Sequence, residues 1–381
     1  MKIIIASDSY KESLQALKVC ETIEKGFAEV FPEAEYVKIP IADGGEGTVQ
    51  SLVDATDGAI IRLHVTGPLG EGVEAFYGIS QDKRTAFIEM AAASGLHHVP
   101  TEKRNPFITT TRGTGELILH ALDQGVRHII LGLGGSATND GGAGMLSALG
   151  VQFLKKNGEV IEPVGGNLNA IESLNLSQLD PRLVYIKLEA ACDVDNPLIG
   201  QKGASFVFGK QKGADIEMMA QLDENLKHYA DILKEEVHID VKEIPGAGAA
   251  GGLGAAVIAV LHGELRKGIE IVLDYTDFDE HIKGADLVLT GEGRIDEQTA
   301  YGKAPVGVAR RAKKCHIPVI AIGGSVLPNH IPVYKEGIDA VFGAISSPMT
   351  LEEAYTSAEE NIEITARNIA AVWKVALGKR L

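Results

Sequence analysis

Met1-Lys2-Ile3-Ile4-Ile5-Ala6-Ser7-Asp8-Ser9 opens the chain, an apolar run that turns polar at Ser7. Lys2–Ala6 reads as one buried strand and is too short for the apolar core of a signal peptide. Ser13 then caps a helical pattern that puts Leu14, Leu17, Ile23, Phe27 and Val30 on one side, and Pro32 lies just past it. Tyr36–Ile41 reads as the second strand, followed by Asp43-Gly44-Gly45-Glu46-Gly47-Thr48 at its carboxyl end. Strand, helix, strand in this order predicts parallel pairing, because a parallel neighbour needs a crossover.

The end of the chain has the same character. Asp286–Thr290, Ile317–Ile322 and Asp339–Ala344 read as short apolar strands with helical patterns between them. Thr350-Leu351-Glu352-Glu353 is a capping box that opens a helix towards Gly378. The middle differs: Ile60–Val65, Gly72–Ile79 and Arg84–Met90 read as strands joined by tight turns at residues 67–70 and 81–83. The expected fold is therefore α/β with two unlike domains. Residues 1–69 and 284–381 form a Rossmann-like domain with a parallel sheet, discontinuous in sequence. Residues 70–283 form an inserted domain with a mixed sheet.

The totals narrow the function classes. A chain of 381 residues exceeds what one core usually serves, which also argues for two domains. The formal net charge of −16 has the wrong sign for a general nucleic-acid binder, so no nucleic-acid partner is expected. It also repels anionic ligands, so a phosphate site needs backbone N–H groups, a few Lys or Arg, or a divalent cation close by. Cys20, Cys192 and Cys315 are odd in number, far apart and in no metal-like spacing, which suits a reducing compartment. No stretch approaches the roughly 18 apolar residues of a membrane span. A cytoplasmic protein with no membrane partner is expected.

The strongest local signal is the strand His128-Ile129-Ile130-Leu131 running into Gly132-Leu133-Gly134-Gly135-Ser136-Ala137-Thr138-Asn139-Asp140-Gly141-Gly142-Ala143-Gly144 and then a helical pattern. Small residues let backbone N–H groups converge on an anion, and a helix N-terminus adds its dipole. Gly134, Gly135, Ser136, Thr138 and Asn139 are thus expected to hold nucleotide phosphates; a tight packing turn is the plain alternative. Gly132-x-Gly134-x-x-Ala137 also matches a loose dinucleotide fingerprint, but no acid follows about 20 residues on to bind a ribose. A second glycine loop, Gly246–Gly254, either closes over a nucleotide or packs helices closely.

Acids stand at strand ends, where open α/β sheets bind ligands. Asp8, Asp43 and Glu292 are the candidate Mg²⁺ ligands, with turn or capping roles as the alternative. Lys11 and Arg294 are candidates to offset charge on a phosphate or carboxylate. Asp193 and Asp296 are candidates to accept a hydroxyl proton. Cys192 suits a small core residue better than a nucleophile. Arg104–Pro106 and Thr109–Glu116 either grip a small polar substrate or form a solvated loop with a helix cap.

Read together, these motifs resemble the bacterial glycerate kinases of type I. The resemblance is carried by Ala6–Ser13, Ala42–Thr48, Glu89–Leu96, Gly113–Leu117, Gly134–Gly144, Ala191–Pro197, Gln211–Ala214, Gly246–Gly254 and Gly291–Asp296, spread over nearly the whole chain. Ser7 departs from the pattern, where family members often carry Pro. The resemblance implies ATP- and Mg²⁺-dependent phosphorylation of D-glycerate to 2-phospho-D-glycerate, with the active site between two unlike α/β domains; the sequence leaves a monomer and a homodimer equally open. The alternatives are a kinase forming the 3-phosphate, an NAD(P)-dependent hydroxy-acid oxidoreductase and a non-catalytic sensor.

Overall fold

Ile3, Ile4, Ile5 and Ala6 are all completely buried. A strand apolar on both faces belongs in the middle of a covered parallel sheet, and that is where it lies. The computed structural model describes residues 1–42, 45 and 47–378. Its strands are β1 Lys2–Ser7, β2 Glu35–Lys38, β3 Ala59–Thr66, β4 Gly72–Ile79, β5 Thr85–Glu89, β6 His128–Gly132, β7 Gln152–Leu154, β8 Val160–Ile161, β9 Ser173–Asn175, β10 Lys187–Ala191, β11 Glu264–Arg266, β12 Leu287–Ile295, β13 Val319–Val326 and β14 Ala340–Gly343. No helix among the described residues is long and apolar enough to cross a membrane.

The chain divides into two compact units, Met1–Asp43 with Asp54–Thr56 and Ile269–Leu381, and Gly44–Val53 with Asp57–Gly268. The first holds a five-stranded sheet in the order β14-β13-β12-β1-β2, parallel throughout. The second holds a six-stranded mixed sheet, β11-β10-β6-β5-β4-β3, and a small antiparallel sheet, β8-β7-β9. These boundaries differ from those expected at 70 and 284. β3 pairs with β4 along its whole length, which ties residues 59–66 to the mixed sheet. Ile269–Lys283 cluster instead with the parallel-sheet unit, where Arg311 binds Glu270, Asp274 and Asp279.

In the first unit β1 leads outward to β2, while β12 leads the other way to β13 and β14. The order reverses between β1 and β12, and in open α/β sheets such a reversal opens a crevice at the carboxyl ends. The helices Ala16–Ala28 and Ala358–Ala376 cover one face, with Val19, Ile23 and Phe27 meeting Ile362, Ala366 and Ile369 in one core. Each such buried Val, Ile or Phe side chain contributes about 1.5–3 kcal/mol.

Several local expectations shift. Ser13 does not cap the first helix, which starts at Ala16 with no side-chain cap. Residues 10–14 instead form a tight turn, Tyr10 and Leu14 exchanging backbone bonds of 2.8 and 2.9 Å. The Thr350–Glu353 capping box forms as read. The helix it opens ends at Thr356, and a second runs Ala358–Ala376.

Candidate active site

The crevice at the β1/β12 reversal is a cavity of about 530 Å³. Asp8, Lys11, Glu292 and Arg294, four of the residues singled out in the sequence, line it. Asp8 directly follows β1, and its carboxylate accepts the Ser9 amide at 2.6 Å. The turn that carries Lys11 is pinned by the Tyr10 hydroxyl, which donates to the Ile322 carbonyl at 2.7 Å. Burial, with the nearby Glu292 charge, pushes the Tyr10 hydroxyl up, so it remains a donor. Glu292 was expected beyond its strand, but β12 runs on to Ile295 because β13 keeps pairing, Glu292 opposite Gly323 and Arg294 opposite Ser325. Strand alternation then sets Glu292 and Arg294 on one face.

The charges are already partly engaged. Glu292 is buried; Thr299 donates to its Oε1 at 2.5 Å and the Lys303 ammonium stands 3.5 Å from its Oε2. Arg294 puts Nε and Nη2 on Oδ2 of Asp296, both at 2.9 Å. Asp296 is buried and also caps the turn at Glu297–Tyr301, accepting the Gln298 amide at 2.9 Å. Burial works to raise its carboxyl, but the Arg294 and Gln298 bonds and the Lys303 and Arg294 charges hold it below the usual carboxylate range. The guanidinium and the cap both engage the carboxylate that was expected to accept a hydroxyl proton. Lys11 is exposed and makes no ion pair among the described residues.

Asp43, the third expected metal ligand, lies outside the described residues. Among the described residues no three His, Cys, Asp or Glu side chains converge to hold an ion. Asp8 and Glu292 nonetheless offer hard oxygen donors to one cavity. Mg²⁺ is usually bound by one or two carboxylates plus waters and phosphate oxygens, so this pair fits.

The second unit treats its glycine loop differently from the expectation. Gly134 and Gly135 are exposed, but Ser136, Thr138 and Asn139 are buried. The amides at the start of the helix Ala143–Ala148 are not open to an anion. Asp140 accepts Gly142 and Gly144 amides at 3.1 and 3.2 Å, and the Thr111 hydroxyl takes the Met145 amide at 2.8 Å. A carboxylate thus already sits where a dinucleotide pyrophosphate would lie. Thr111 and Thr109 are buried, bonded to Asp140 and to the Ala137 carbonyl, so that segment braces the loop. The second glycine loop packs against the first. Gly251 has φ +69, and a Cβ there would stand 2.0 Å from the Thr138 carbonyl oxygen. Gly251→Ala should therefore cost about 2 kcal/mol or more, seen as a lower urea midpoint; an unchanged midpoint would contradict this packing.

Lys212, within the Gln211–Ala214 motif, is 1% exposed and its ammonium donates to the Thr138 carbonyl at 2.6 Å. Burial drives its pKa down from 10.5 to about 7, with the Asp140 charge opposing. The unfolded chain keeps this proton up to about pH 10.5, while the folded chain releases it near pH 7. Folding stability should therefore rise with pH across that window. Urea midpoints at a series of pH values should show the rise in the parent and a flatter course in Lys212→Met. Asp193, at the end of β10, is exposed and accepts the Gly268 amide at 3.1 Å. Cys192 is buried and burial pushes its thiol up, in keeping with a core role.

The glycerate kinase family model matches residues 3–374. The chain belongs to the glycerate kinase family. It is 75% identical over 379 residues to a glycerate kinase of Bacillus cereus (strain ATCC 10987 / NRS 248), covering all of both chains. It is 57% identical to a glycerate 2-kinase of Escherichia coli (strain K12), over 100% of this chain and 99% of that one. A crystal structure from Salmonella typhimurium LT2, described as a glycerate kinase 2, superposes with a TM-score of 0.93 at 54% identity, covering 99% of each chain. Glycerate kinase family membership thus accounts for the scattered motifs as parts of one full-length pattern.

Proposed function

We propose that this chain transfers the γ-phosphoryl group of ATP to the 2-hydroxyl of D-glycerate. The observation that carries the reading is the convergence of Lys11, Arg294 and Lys303 with Asp8 and Glu292 on one cavity at the strand-order reversal of a parallel sheet, in a chain whose full-length relatives are named for this activity. The 2-position is supported by the name of the Escherichia coli relative.

Phosphoryl transfer asks little covalent work of the protein; positioning and charge neutralisation do most of it. Asp8 and Glu292 are the residues that would hold Mg²⁺, which when bound supplies positive charge to phosphate oxygens. Lys11 offers an uncommitted ammonium and Arg294 a guanidinium oriented by Asp296, to offset the phosphate and the glycerate carboxylate. Asp193, which is exposed, and Asp296, which is paired with Arg294, are the two candidates for taking the hydroxyl proton. In the second unit, the exposed Gly134-Gly135 turn is the part of the glycine loop left to meet an anion.

The test is phosphorus NMR of a reaction of ATP with D-glycerate. A new resonance from 2-phosphoglycerate, with one ADP formed per glycerate, is expected. A 3-phosphoglycerate resonance would overturn the regiochemistry, and ADP release that does not depend on glycerate would overturn the substrate.

A further inference from the structure

Resting on the phosphotransfer reading above, we propose that the C-terminal helices of the first unit build the base-and-ribose subsite for a purine nucleoside polyphosphate, the charged part of the same cavity taking its phosphates. Size is the first argument. About 530 Å³ falls within the roughly 300–1,000 Å³ of pockets that enclose a drug-sized ligand, and a three-carbon acid would leave most of it unfilled.

Polarity is the second. The lining joins the charged Lys11, Glu292, Arg294 and Lys303 with the apolar Ile345, Leu351, Ala354 and Ile362. Leu351 is 67% and Ile345 44% exposed. Large apolar side chains left open inside a concave site, beside a tyrosine ring, suit a flat aromatic ligand. That ring is Tyr355, on the helix Leu351–Thr356.

The third argument is polar groups still wanting partners. Ser13 Oγ is buried and has no hydrogen-bond partner among the described residues. Asn361 is 7% exposed, and its amide nitrogen donates to the Met349 thioether at 3.7 Å, a weak acceptor. Both residues line the cavity. A buried carboxamide this poorly paired costs stability unless a ligand completes it. A carboxamide's adjacent donor and acceptor match the amino and ring nitrogens of adenine, and a lone hydroxyl matches one on a ribose.

The experiment uses the full chain and isothermal titration with ADP and with inorganic triphosphate, alongside steady-state kinetics. Leu351→Ser/Tyr355→Ala, both at exposed positions, and Asn361→Leu should each weaken ADP about tenfold or more. Triphosphate affinity and KM for D-glycerate should stay within about twofold. If Asn361→Leu does not fold, the double variant decides alone. ADP affinity unchanged in the folded variants, or a rise in KM for D-glycerate in its place, would overturn the subsite. If the parent phosphorylates D-glycerate while the variants keep their ATP KM, the subsite alone fails. If the parent binds ADP and the variants lose it, yet no phosphate reaches D-glycerate, the subsite stands and the substrate reading fails.

Discussion

Lys11→Ala should lower kcat/KM for phosphoryl transfer to D-glycerate by about 100-fold or more, while moving the urea midpoint no more than an ordinary surface substitution, about 0.5 kcal/mol. The chain carries a net charge of −16, so a polyphosphate entering the cavity needs local positive groups. Of the three cations there, Arg294 is tied to Asp296 and Lys303 faces Glu292. Lys11 is exposed on a turn pinned from behind by Tyr10, so its charge is available and its removal leaves no buried gap. Lys11→Arg should recover part of the loss, since it restores the charge with different geometry. Coupled ADP-release kinetics at saturating Mg²⁺ would check this, and a kcat/KM within a few-fold of the parent would take Lys11 out of the site.

Asp140→Ala should cost about 3–5 kcal/mol of unfolding free energy, a large share of the about 5–15 kcal/mol typical of a whole domain. Asp140 is completely buried and accepts four hydrogen bonds, from the Thr111 amide and hydroxyl and the Gly142 and Gly144 amides. Burial lifts its carboxyl above the ordinary range, and those four donors work against the rise. Truncation leaves the donors without a partner in a dry site, where each costs about 1–3 kcal/mol. Asp140→Asn should come close to the same loss, because one of its two acceptor positions becomes a donor facing N–H groups. Urea unfolding followed by circular dichroism would measure both; a loss below about 1 kcal/mol would show that the loop does not depend on this carboxylate.

These two residues illustrate how far reading from sequence reaches. Lys11 was found because a cation three positions beyond an acid at a strand end is a local pattern, and local patterns survive without coordinates. Asp140 lay inside the glycine loop and was passed over, because its role depends on Thr111, 29 positions away. Arg294 and Asp296 were both noticed, but only their geometry revealed that each occupies the other. Lys303 and Ser325 gave no signal at all: single polar residues become part of a site only when the start of the helix Ala304–Lys314 and β13 bring them to one cavity.

The amino-acid order alone determined the two kinds of sheet, since β-α-β spacing demands parallel crossovers and short turns demand hairpins, and both are constraints between near neighbours. The full-length motif pattern likewise determined the family. Tertiary structure alone decided which glycines pack and which stay open, and which acids are buried and paired. Glu189 makes the point: buried in β10, it meets His128 from 61 positions before and Arg266 from 77 after. Burial and the pairing of charges depend on segments far apart in the chain meeting in space, so no local window of sequence contains them.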